Sequence, residues 1–256
     1  MRLKSVLAAG VLVAGAVTLP SCGSTLQTTS FVTSGDCPRE QALVGRALDR
    51  SRLRVDVSGD RRLDKVAVAS DAGAAKPCRG FVGVRVRGGS TYSTHLIPNA
   101  VPIKGLRARI VGLPHLGNRP GAQIVVDTRA AVDSVLAQMF ALADGALRPV
   151  RVPEFKDGTF IVEGGGVIYP HGAGCTTDGR MVLSQAAQTK DGKRFRVSRR
   201  TYEVRGKRVR FSKPEVERTT VPVNQLVSRF PEFAGPHWKA CTGTVRRGSV
   251  AKNPSS

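Results

Sequence analysis

The sequence predicts an all-β body of repeated antiparallel sheets with one short helix near its start. Three observations predict it. Short apolar runs alternate with Gly, Asp and Pro turns through the interior, and only residues 39–50 show helical periodicity. A polar, glycine-bearing loop that turns straight into an apolar strand also recurs at an offset of 58 residues. A chain of 256 residues with 41% hydrophobic content is long and apolar enough to bury a core. Its mixed charged composition excludes a polytopic membrane protein and a globally disordered chain.

The N-terminus reads as an export signal. Arg2 and Lys4 precede a 14-residue apolar run, residues 6–19, which is too short to span a bilayer and suits the hydrophobic region of a signal peptide. Leu19-Pro20-Ser21-Cys22 resembles the lipobox of bacterial lipoproteins: an aliphatic residue, a small residue before the cleavage point, and a cysteine to be lipidated. Pro20 departs from the usual residue at its position, and cleavage near Ala14-Gly15-Ala16 would instead release a secreted protein. The cysteine count favours Cys22 as the anchor. Five cysteines leave an odd thiol in an oxidising compartment, and removing Cys22 leaves Cys37, Cys78, Cys175 and Cys241. Their spacings match no zinc motif, so two disulfides are expected. Three connectivities are open; the local pairs Cys37–Cys78 and Cys175–Cys241, which staple the two ends separately, are preferred. The expected organisation is a signal peptide over 1–22, a flexible tether over 23–35, an all-β repeat domain over 36–245 and a disordered basic tail over 246–256.

Strands are expected at 65–69, 81–87, 91–97, 107–111, 123–127, 134–142, 147–152, 159–162, 181–185, 195–204 and 208–212. The repeated loop begins at Gly59-Asp60-Arg61-Arg62-Leu63-Asp64, recurs at Gly117-Asn118-Arg119-Pro120-Gly121-Ala122, and has a weaker third copy at Asp178-Gly179-Arg180. Residues Asp56 to Asp64, followed by Val66-Ala67-Val68, resemble one FG-GAP/VCBS-type repeat. The chain is also similar to actinobacterial surface lipoproteins of unassigned function that carry a segment like residues 195–231. The resemblance implies a β-propeller-like or incomplete-propeller arrangement, and a Ca²⁺ held by a loop whose counterparts here are Asp56, Ser58, Asp60 and Asp64. Alternating carboxylates can converge hard oxygens on such an ion. Against that stand Ser58 as a poor ligand, Arg61 where the family has Gly, and the alternative that these aspartates cap turn amides.

Of the 40 basic residues 29 are Arg, giving a net charge of +21. Ten of them lie within residues 193–213 against one acid, Glu203: Lys193, Arg194, Arg196, Arg199, Arg200, Arg205, Lys207, Arg208, Arg210 and Lys213. A two-residue Gly206-Lys207 turn would pair Val204 with Val209 and Tyr202 with Phe211, with a bulge around Ser198–Thr201 to reconcile Phe195 and Val197. The segment reads either as a charge-guarded edge ribbon or as a surface for anionic lipid or wall polymer. Aromatic poverty (5%) and export disfavour nucleic acid as partner.

No catalytic motif is present. His95, His115, His171 and His237 show no metal-ligand spacing, and Ser184 has no nucleophile elbow. The expected function is an exported, lipid-anchored, non-catalytic binding or scaffolding module on the outer face of the cytoplasmic membrane. Its partner would be a protein or an anionic envelope polymer, with no cofactor beyond the Ca²⁺ considered above. The alternatives are a structural envelope protein without a specific ligand and a hydrolase whose active site follows no motif.

Overall fold

The computed structural model describes residues 31–32, 37–96, 108–117, 119–128, 134–155, 158–205 and 210–241. The expected signal segment, Cys22 and the basic tail lie outside the described residues.

The chain is mostly antiparallel β, as the alternating pattern predicts. In order it forms β1 (Phe31–Val32), α1 (Glu40–Arg50), β2 (Arg54–Val55), β3 (Asp64–Ser70), β4 (Gly80–Arg85), β5 (Thr91–His95), β6 (Arg109–Gly112), β7 (Ile124–Asp127), β8 (Ser134–Ala143), β9 (Ala146–Val150) and β10 (Thr159–Gly164). There follow β11 (His171–Cys175), β12 (Met181–Gln188), β13 (Arg194–Tyr202), β14 (Val204–Arg205), β15 (Arg210–Phe211), β16 (Glu215–Pro222) and α2 (Leu226–Arg229). Among the described residues these build a five-stranded sheet, β1-β5-β4-β3-β2, and a nine-stranded sheet, β16-β13-β12-β11-β10-β8-β7-β6, in which β9 pairs with β8. β14 and β15 make a separate two-stranded ribbon.

Alternation places the cores. In the small sheet, Val66, Val82 and Val84 face one way and Ala67, Ala69 and Phe81 the other. The second face takes α1, whose Val44 and Leu48 stand one turn apart on its buried side. The Cys37–Cys78 disulfide fixes the start of that helix to the approach to β4. The first face shares a core with Ile124, Val126 and Phe140 of the large sheet. The opposite residues of β7 and β8, Val125, Ala137, Met139 and Ala141, share another core with Ala173, Met181, Leu183 and Tyr202 from the far strands of the same sheet. The large sheet therefore curls, and its two halves meet across a common interior.

Residues 223–241 strap the outer face of β11 to β13. Leu226 and Phe230 cover Phe195, Val197 and Val221. A Cβ on Gly172 would come 2.4 Å from the Glu232 carbonyl oxygen, and one on Gly174 would come 2.5 Å from that of His237, so β11 can only be made of small residues here. Cys175–Cys241 closes the strap. Both disulfides are thus the local pairs.

Three expectations are corrected. Phe31 and Val32, placed in the tether, pair in parallel with Thr91 and Tyr92 at the otherwise open edge of β5. The single short helix is joined by helical turns in the C-terminal strap, among them α2. No bulge interrupts β13, whose register runs continuously from Met181↔Tyr202 to Gln188↔Phe195. Phe195 and Val197 change parity relative to Tyr202 because the strap covers one face of β13 at its start while the curled interior covers the other face at its end.

The three loop copies adjoin. The Ala122 amide donates to the Asp56 carbonyl at 2.8 Å, and the Gly117 amide donates to the Gly179 carbonyl at 2.8 Å. The strands they lead into are not organised as separate four-stranded blades: β7 and β12 belong to one sheet.

Candidate functional site

Strand register builds the site. His171 on β11 stands opposite Gln185, Gln185 opposite Ser198, and Ser198 opposite Arg218, so these four form one row across β11, β12, β13 and β16. Directly opposed side chains lie on the same face. The next row contains Ala187, Arg196 and Thr220 by the same pairing. Further along that face, Leu183 and Tyr202 enter the core inside the curl. Beyond them the face leaves the core and opens as a cleft of about 570 Å³, walled at one end by Tyr169.

The cleft is cationic and carries no carboxylate in its lining. Arg196, Arg218 and Gln185 are exposed, and neither arginine has an ion-pair or side-chain hydrogen-bond partner among the described residues. Ser198 and Gln185 supply neutral donors and acceptors between them. Burial holds the His171 imidazole below its usual pKa, because the apolar surroundings disfavour the charged ring. The arrangement can hold an anion by paired guanidinium groups with adjacent hydroxyl and amide hydrogen bonds. His171 and Ser198 share the row with Gln185 between them, and no acid lining the cleft stands ready to orient the imidazole.

The expected basic segment divides. Arg199 points to the strap face and donates to Glu232 at 3.0 Å. Arg200 lies 3.5 Å from Glu154, which also accepts a hydrogen bond from the Tyr202 hydroxyl. Burial, then that carboxylate, raises the pKa of Tyr202 well above the ordinary phenol value. Arg205 pairs with Glu203 at 2.8 Å. Arg210 lines a different cavity of about 420 Å³ with Arg148 and Arg151. Lys193, Arg194 and Lys213 are exposed, while Lys207 and Arg208 lie outside the described residues. Arg196 alone of the eight that are described lines the cleft; its companion Arg218 lies on β16, beyond the segment singled out by charge density.

The ribbon register also differs. Val204 pairs with Phe211 and Arg205 with Arg210, so four residues connect the strands instead of two. Phe211 thereby meets Tyr202 edge-on at 5.8 Å, and the Ser212 hydroxyl accepts from the Glu203 amide at 3.1 Å. The side-chain parity is unchanged: both rings remain on the core side.

The aspartate loop does not assemble the expected ion site. Asp64 is fully buried and accepts from the amides of Val57 and Ser58 at 2.9 Å and of Arg87 at 3.2 Å. Asp56 accepts from Gly59 at 2.6 Å and Arg61 at 2.7 Å, and Asp60 from Arg62 at 2.8 Å. Ser58 turns its hydroxyl towards Asp56 at 3.5 Å. Arg61 adopts φ 66°, the left-handed conformation that glycine takes without strain. No group of three His, Cys, Asp or Glu side chains among the described residues is arranged to hold a metal. The donor oxygens are committed to turn amides, and the residues do not fit Ca²⁺.

No protein-family model, curated protein or solved structure matches the chain.

Proposed function

We propose that the chain is an exported, lipid-anchored protein whose folded body is a non-catalytic binding module for an anionic envelope polymer. The observation that carries this reading is the acid-free cleft in which Arg196 and Arg218 flank Ser198 and Gln185. Charge alone would be a solvated surface; two guanidinium groups without an ion-pair partner among the described residues, on one concave face with neutral hydrogen-bonding groups between them, are suited to phosphate or carboxylate. The two disulfides support folding in an oxidising compartment, where such polymers lie. Cys22 is the anchor in this reading. The adjoining Gly59, Gly117 and Gly179 loops support descent from a degenerate FG-GAP/VCBS-type repeat, without requiring a closed propeller.

The test is titration of the protein with polyphosphate as a soluble polyanion, repeated across salt concentrations. Arg196→Ser with Arg218→Ser should weaken binding at least about tenfold and flatten the salt dependence by roughly one to two phosphate contacts. Unchanged affinity and salt slope in the double variant would remove the cleft as the binding site.

A further inference from the structure

One end of the large sheet combines exposed apolar side chains with basic ones. The turn between β10 and β11 presents Val167, Ile168 and Tyr169 in succession, 83%, 53% and 59% exposed. It is a built loop, held against the end of β12 where the Gln188 amide donates to the Ile168 carbonyl and the Ala186 amide to the Pro170 carbonyl, both at 2.9 Å. Gly165, at φ 79°, is required: a Cβ there would lie 1.9 Å from the Tyr169 carbonyl oxygen. β12 ends at this point and turns into β13, so exposed Lys190, Lys193 and Arg194 occupy the same end of the sheet. The Val223 amide donates to the Lys193 carbonyl at 3.2 Å, which brings Val223 to that end, with Val227 one turn on. Both valines are exposed, at 42% and 49%. In the turn between β12 and β13, Asp191 accepts from the Thr189 hydroxyl and the Lys193 amide.

We infer that this end of the sheet docks on an anionic lipid bilayer, with Val167 and Ile168 entering the acyl boundary and Tyr169 at the headgroup level. Lys190, Lys193 and Arg194 would meet the lipid phosphates. Five of the eight exposed large hydrophobics among the described residues gather here, on the loop between β10 and β11 and on a flanking turn. Apolar tips ringed by cations match the layering of acyl chains beneath anionic headgroups, and tyrosine favours the boundary between them. The inference goes beyond the polymer reading, since the loop can insert whether or not the Arg196–Arg218 cleft is filled.

The test uses the full chain with Ile168→Trp. The native indole, Trp238, is only 3% exposed, so the introduced indole reports its own surroundings. Vesicles of equal parts phosphatidylcholine and phosphatidylglycerol should shift its emission to the blue, and brominated acyl chains should quench it. Pure phosphatidylcholine vesicles should do so at least about tenfold more weakly, as should anionic vesicles when Lys193→Glu and Arg194→Glu are added. Val167→Asp should weaken the anionic-vesicle response by about tenfold while leaving polyphosphate affinity unchanged, which separates this inference from the cleft reading. An indole that is neither shifted nor quenched by anionic vesicles overturns the proposal. So does a blue shift without vesicles that grows with protein concentration, which would assign the surface to a second copy of the chain.

Discussion

Arg199 donates to Glu232 at 3.0 Å, and the Glu232 side chain is only 4% exposed. Glu232 also accepts the Ser184 hydroxyl at 2.6 Å. This pair lies on the strap side of β13, facing away from Arg196, and it converts one of the ten expected surface cations into a structural one. Local sequence charge and surface charge therefore diverge within three residues of the same strand.

Replacing Glu232 by Ala should destabilise the fold by about 3 kcal/mol, because it strands a half-buried guanidinium and removes the acceptor of a buried hydroxyl. Denaturant midpoints at constant slope measure it. Polyphosphate affinity should be retained, since Arg199 does not line the cleft; a parallel loss of binding would join the two faces functionally.

The aspartate loop gives a prediction of opposite pattern at neighbouring residues. Asp64→Ala leaves three backbone amides without their acceptor, two of them in the loop and one at Arg87, and should cost about 3 kcal/mol. Asp60→Ala removes one exposed turn bond and should cost about 0.5 kcal/mol. Excess Ca²⁺ should leave the melting temperature of the parent unchanged. A calcium-dependent rise lost in Asp60→Ala would restore the ion site.

What could be read beforehand follows from how local each determinant is. Val66 and Val68, and Val82 and Val84, recur at every second position, and that period marks a strand without knowledge of the partner. β11 was not legible: His171-Gly172-Ala173-Gly174-Cys175 has no strand composition, and its small residues make sense only once residues 232–237 cross above them. β16 was missed because Glu215, Glu217, Arg218 and Thr220 make it polar on both faces, as an edge strand tolerates. The cleft inherits both omissions. His171 sits on one unpredicted strand and Arg218 on the other, so only Arg196 and its neighbours on β13 could be nominated from charge density.

The strap makes the second disulfide a strong determinant of the β11 to β13 end of the fold. Cys175–Cys241 spans 66 residues and closes the segment that buries Trp238 and Phe230. Replacing both cysteines by Ser should lower stability by about 4 kcal/mol on the loop-entropy account. Protection of the β11 amides from hydrogen exchange should fall, and that of α1 should not. Equal loss at both ends would mean that the strap is not a separable unit.

Acidification should act on stability and on binding with opposite signs. Burial lowers the pKa of both His171 and His115, for the latter against a smaller opposing influence of Asp56. The unfolded chain takes up these protons near pH 6.5, while the folded chain resists to lower pH. Their contribution to stability is therefore complete above about pH 6.5 and declines as pH falls below it. Asp178, whose carboxylate is favoured first by the Thr176 hydroxyl and then by Arg180, contributes stability above about pH 3.8 that is lost as pH falls through its lower folded value. Once the pH falls below the lowered pKa of folded His171, the protonated imidazole adds a cation to the wall of the Arg196–Arg218 cleft, so polyphosphate should bind more tightly as the fold weakens. His171→Gln should abolish the gain in affinity and remove only part of the loss in stability, because His115 still titrates. Affinity that stays flat with pH in the parent would show that the imidazole does not face the bound anion.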